Sequence, residues 1–63
     1  MIEEYKIISY TEYEYTMEEV NKHLKSSEYW ELYGNLVVTV NSNYNRFTQT
    51  MVRMSKPVFN GPM

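Results

Sequence analysis

The chain has 63 residues, enough for one domain but not for a large core: a domain this size buries only about 60% of the surface its unfolded chain exposes. It has no cysteine and a single histidine, which excludes disulfides, thiolate metal sites and a cysteine nucleophile, and points to oligomerisation as the remaining means of support. A net charge of −2, from eight acidic and six basic side chains, argues against sequence-independent phosphate binding and, with no basic stripe, against sequence-specific DNA binding.

Tyr5–Ser9 is the first element in chain order. Its β-branched and aromatic content predicts a strand. Ile7 and Ile8 face opposite sides, so either the strand is covered twice or its second face meets another subunit. Tyr10–Ser27 follows as a predicted helix. Thr11 and Glu14 stand at capping-box spacing, and Tyr10 and Tyr15 stand where a hydrophobic staple would place them. Thr16 with Glu19 offers a second box one turn on. Tyr13, Met17, Val20 and Leu24 form one apolar stripe at helical period. Glutamates toward the start and Lys22 and Lys25 toward the end suit the helix dipole.

Trp30–Asn41 is the strand around which the other elements must be arranged. Trp30, Leu32, Gly34, Leu36, Val38 and Val40 share one face, predicted to be the core face. Gly34-Asn35 is a candidate bulge or bend within it. Asn41–Asn45 reads as a turn and Arg46–Met54 as the last strand. The expected register pairs Val40 with Phe47, Val38 with Gln49 and Leu36 with Met51. This leaves the Gln49 amide in the core, where it must find partners or cost free energy. The predicted fold is α+β: a small β-α-β-β domain, an antiparallel sheet with one helix packed on one face. Residues 1–63 form a single domain, with a core at 5–54 and a Pro-containing apolar tail at 55–63.

Several separated motifs suggest a family. Tyr5-Lys6-Ile7-Ile8, then Glu19-Val20-Asn21 with Leu24, then Trp30-Glu31, then Phe47-x-Gln49-x-Met51-Val52-Arg53 resemble a family of short bacterial and phage domains of unknown function. Members read Tyr-Lys-Val-Val, Glu-Val-Asn-x-x-Leu, Gly-Trp-Glu and Gln-Ala-Met-Val-basic. The chain departs from this at Tyr29, where the pattern has glycine, and at Thr50, where it has alanine. The resemblance implies the β-α-β-β fold and no particular activity.

Chemistry is sparsely represented. His23 is the only imidazole and lies at the edge of the helix stripe, with Glu19 one turn away as a possible partner. Gly34 and Gly61 are the only glycines, and neither opens a helix as a phosphate loop would. The expectation is therefore a non-catalytic protein with no catalytic residue, metal site or cofactor. Binding chemistry is richer. Tyr33, Asn35, Asn43, Tyr44, Arg46, Gln49 and Arg53 are the candidate ligand-binding residues, since tyrosines stack on bases, amides read their edges and arginines meet phosphate.

Ile8, Val37, Thr39, Val52, Met54, Val58 and Phe59 are the candidate surface for an oligomer or protein partner. Absent alanine, and abundant Tyr, Asn, Lys and Ile, read as coding in an AT-rich genome, with a bacteriophage as a candidate source because short accessory genes are common there. The expected function is that of a phage or mobile-element accessory factor that binds and inhibits a host protein. The alternatives are a homo-oligomeric sponge for a nucleotide immune signal, and a purely structural oligomerisation module. Apolar runs too short for a bilayer and an acidic N-terminal lead-in predict a cytoplasmic protein without membrane contact.

Overall fold

A computed structural model describes residues 1–56. Five elements follow in order: β1 (Ile2–Tyr10), α1 (Tyr13–Leu24), β2 (Trp30–Leu32), β3 (Val37–Val40) and β4 (Asn45–Met54). They form the α+β architecture read from the sequence, one antiparallel sheet with one helix packed against it. β4 is the central strand. β1 pairs along one side of it, from Ile2↔Met54 to Tyr10↔Phe47. β2 and β3 share the other side, one after the other.

The long strand is thus real but broken at its glycine. β2 pairs Leu32 with Met51, and β3 pairs Val37 with Thr48 and Val40 with Asn45. Gly34 occupies the left-handed region at φ 78°, with open space where a Cβ would stand. Backbone conformation, not crowding, is what calls for glycine here. Two extra residues are absorbed at this bend. An even number keeps the alternation in phase, so even-numbered side chains of β2 and β3 all stay on the helix side of the sheet. The expected pairs of Val40 with Phe47 and Val38 with Gln49 are replaced by Val40 with Asn45 and Val38 with Phe47, because the turn closes two residues earlier; a shift of two leaves each side chain on its face. The Asn41 side-chain oxygen accepts from the backbone N–H of Asn43 and Tyr44, and Asn41 N–H donates to the Tyr44 carbonyl, closing the turn immediately before Asn45.

The helix starts between its two candidate capping boxes, one residue after the Thr11 box and a turn before the Thr16 box. Glu12 is the cap residue, in extended conformation, and no side chain caps the first turn. Thr16 lies fully buried inside the helix, and its hydroxyl donates to the Glu12 carbonyl at 3.0 Å. Burial decides this: a hydroxyl removed from water needs an acceptor, and the carbonyl four residues back is the nearest. The Thr11 and Thr16 boxes therefore do not form. Tyr10 and Tyr15 do meet across the start of the helix, with ring centroids 6.4 Å apart.

The core is small. Ile8, Val20 and Met51 are buried together, with Met17 and Trp30 packed against them. The helix lies over β1, β4 and β2 and leaves β3 uncovered. Leu32, Val38 and Val40, expected in the core, are exposed; for Val38 and Val40 the reason is that the helix does not reach β3. Tyr13 and Leu24 of the expected stripe are exposed as well, although the Tyr13 ring stands edge-on to Phe47 with centroids 5.6 Å apart.

Candidate binding surface

The face of the sheet turned away from the helix carries an exposed aromatic and aliphatic patch. Cross-strand neighbours share a face, so the register maps it directly. β1 contributes Tyr5, Ile7 and Ser9, which pair with Val52, Thr50 and Thr48 of β4. On the other side of β4, Glu31 pairs with Val52, Val37 with Thr48 and Thr39 with Arg46. Tyr33 joins at the level of Thr50, to whose carbonyl its N–H donates at 2.9 Å. Tyr5 and Tyr33 come from strands on opposite sides of β4, and their rings meet edge-on with centroids 5.6 Å apart. They close over the strand between them, which accounts for Val52 being only 2% exposed on a face with no second layer. Around this pair Ile7 is 68% exposed and Val37 55%.

The expected partner surface needs one exchange. Ile8 is buried under the helix, and Ile7 stands on the open face instead. The alternation that set these two isoleucines on opposite sides was clear, but not which side the helix would take. Val37 and Thr39 lie on the open face as expected; Met54 does too, half-buried, and Val52 is roofed over. Val58 and Phe59 fall outside the described residues. Tyr5 was not among the candidates, although it shares parity with Ile7 and so was assignable to the same face.

The expected ligand cluster is divided by the sheet. Gln49 and Arg53 lie on the helix face. The Gln49 amide nitrogen donates to the Gly34 carbonyl at 3.2 Å and the Thr50 carbonyl at 2.9 Å, so it pins the bend between β2 and β3. The buried amide thus has its partners. Arg53 pairs with Glu4 through an Nε–Oε1 distance of 3.1 Å. Tyr33 and Arg46 are on the open face, and Asn35 follows the Gly34 bend. Only Asn43, Tyr44 and Arg46 remain together at the hairpin end. There the Arg46 guanidinium lies 5.9 Å from the centre of the Tyr44 ring and donates to the Ser9 hydroxyl at 3.2 Å. Ser9 and Thr48 hydroxyls share a further hydrogen bond of 2.9 Å.

His23 sits on the opposite side, in a cleft of about 260 Å³ with Lys6, Glu19, Lys22, Ser26 and Glu28. Its Nδ1 lies 2.7 Å from the Glu19 backbone carbonyl, which can only accept, so Nδ1 carries the proton. The Nε2 lone pair then accepts from Lys6 Nζ at 3.0 Å. The expected Glu19 partnership is thus made by its carbonyl and not its carboxylate. With the Trp30 ring 5.2 Å away edge-on, the imidazole joins helix, β1 and β2. Both ring nitrogens are occupied by this tether. A second cleft of about 250 Å³ lies among Tyr10, Tyr15, Glu18 and Glu19. No group of three or more metal-ligating side chains occurs among the described residues. None of their helices is long and apolar enough to cross a membrane.

Comparison of the chain with protein-family models, with curated proteins and with solved structures finds no match.

Proposed function

We propose that the protein is a non-catalytic binding protein that acts by docking a protein surface onto the open face of its sheet. The observation that carries this is the exposed aromatic and aliphatic patch around the Tyr5–Tyr33 pair, on the face of the sheet opposite the helix. Tyrosine suits such a role, since it offers apolar area together with a hydroxyl for the polar rim. Binding to and inhibition of a host protein by a phage or mobile-element factor is the biological setting that fits this surface and the composition. The nucleotide-sponge reading is supported less, because Gln49 and Arg53 are separated from Arg46 by the sheet and engaged elsewhere.

The test is retention of proteins from host-cell extract on the immobilised chain, compared with Ile7→Lys. Ile7 is exposed, so the substitution spares the core while placing a charge in the patch. Loss of the captured species with Ile7→Lys, and no loss with an equally exposed change at Lys22, is the expected result. Native mass spectrometry in the presence of a nucleotide mixture gives the opposing outcome: a stoichiometric nucleotide adduct insensitive to Ile7→Lys would displace this reading.

A further inference from the structure

We propose that in the free protein the surface docked on the open face is a second copy of the same chain, laid face to face with its strands antiparallel, which a foreign protein must displace to bind; this rests on the reading of that face as a protein-binding surface. The distribution of charge across the face singles out this occupant. Arg46 stands at the hairpin end, opposite Thr39, and Glu31 stands toward the other end, opposite Val52. Between them the face is apolar or hydroxylic: Ile7, Val37, Thr48 and Thr50 surround the tyrosine pair. A surface with a cation at one end, an anion toward the other and an apolar middle is complementary to itself when turned end for end.

A two-fold axis lying between the sheets and across the strands performs that turn. It sets the apolar middle on its own copy and brings each Arg46 toward the partner's Glu31, twice by symmetry, as an isologous interface requires. An axis along the strands would instead stack Arg46 on Arg46 and Glu31 on Glu31, and like charges opposed across an interface are costly. Both side chains can take part. Arg46 is exposed and uses its guanidinium only toward Ser9 and the Tyr44 ring, leaving further N–H donors. Glu31 is exposed and makes no ion pair among the described residues. The small core supplies the need. Only Ile8, Val20, Met51 and Val52 are buried apolar residues among those described, and the chain has no cysteine to form a disulfide.

Sedimentation equilibrium of the full chain over a wide concentration range tests the inference. A dimer is expected. Ile7→Lys should raise its dissociation constant ~100-fold, since a lysine would be buried in the apolar middle without a partner. Arg46→Glu and Glu31→Arg should each weaken it ~10-fold, and the double reversal should restore it, because the two charges meet only in the antiparallel stack. Circular dichroism verifies that each variant keeps its fold, and the two charge reversals serve even if Ile7→Lys does not.

A chain that stays monomeric throughout overturns the inference. Capture of another protein lost on Ile7→Lys would then preserve the docking reading alone, and no such capture would end both. A dimer indifferent to all these changes would use another surface, such as the outer edge of β1, and also overturns it. Sensitivity to Ile7→Lys without rescue by the double reversal rejects the antiparallel arrangement.

Discussion

Val52 and Val38 occupy opposite faces of the same sheet, and each has the burial expected of the other. Val52 lies on the face with no helix and is 2% exposed; Val38 lies on the helix face and is 47% exposed. Alternation assigns a side chain to a face, but cover decides whether that face is inside. At Val52 the cover is two tyrosine rings reaching over β4 from both neighbours. At Val38 the helix gives no cover, since α1 runs over β1, β4 and β2 and not over β3. A twelve-residue helix is about 18 Å long, shorter than the span of a ten-residue strand at about 3.3 Å per residue.

The largest expected effect lies where the helix does cover the sheet. Met51 is fully buried at the centre of the core cluster, and Met51→Ala should cost about 2–5 kcal/mol through lost transfer energy and the cavity left behind. In a domain this small that is enough to unfold much of the population. Urea denaturation followed by the fluorescence of Trp30, the sole tryptophan, measures it. A cost below about 1 kcal/mol would mean that the helix-covered region is not the stabilising half of the molecule.

Gln49 ranks next. Replacing it with Leu keeps the volume but leaves the Gly34 carbonyl without its donor, at an expected cost of about 1–3 kcal/mol. Hydrogen exchange sharpens the comparison here. Amides of Val37–Val40 should lose protection before those of β1, because the amide holds the bend that feeds β3 into the sheet. Uniform loss of protection would show that β3 folds as one unit with the covered end.

How far these features were legible does not follow the same division. Local signals could be read: the alternation in Trp30–Val40, the helical spacing of Met17 and Val20 and the turn residues at Asn41–Asn45 all lead to observed elements, at the covered and the uncovered end alike. The bend was legible too, since a lone glycine inside an alternating run marks a place where backbone geometry departs from the strand. The extent of the helix was not. Thr11 and Thr16 both offered caps; the helix instead starts from Glu12, and Thr16 is buried inside it with its hydroxyl on the Glu12 carbonyl. The ligand cluster failed for a different reason. Arg46, Gln49 and Arg53 are close in sequence, but their parity on β4 sends Arg46 to one face and the other two to the opposite face. Tyr5 was missed because its partner Tyr33 is distant in sequence, across two strand pairings.

The valine pair itself gives the direct contrast. Val52→Ala should cost about 1–2 kcal/mol, the transfer energy of the methyl groups removed, while Val38→Ala should stay within about 0.5 kcal/mol. If the tyrosines are the cover, Tyr33→Ala should reduce the cost of Val52→Ala measured in its background, a coupling that a double-mutant cycle reports. Additive costs would mean that Val52 is protected by something other than the rings.

The smallest effect concerns backbone strain: two of the described residues take the left-handed conformation. One is Gly34; the other is Tyr29, at φ 64° just before β2. For a residue with a Cβ that conformation costs about 1–2 kcal/mol, whereas glycine adopts it freely. Tyr29 is held there because its carbonyl accepts from Met54 N–H at 2.9 Å, which anchors the start of β2 on β4. Its ring is 43% exposed. Tyr29→Gly should relieve the strain while adding about 0.5–1 kcal/mol of backbone entropy to the unfolded chain, for a net gain of roughly 0.5 kcal/mol. A loss of stability in the same denaturation experiment would carry a different message. The ring would then be cover for the helix end of the sheet, as the rings of Tyr5 and Tyr33 are for Val52, and its contacts would outweigh the strain of the backbone that places it.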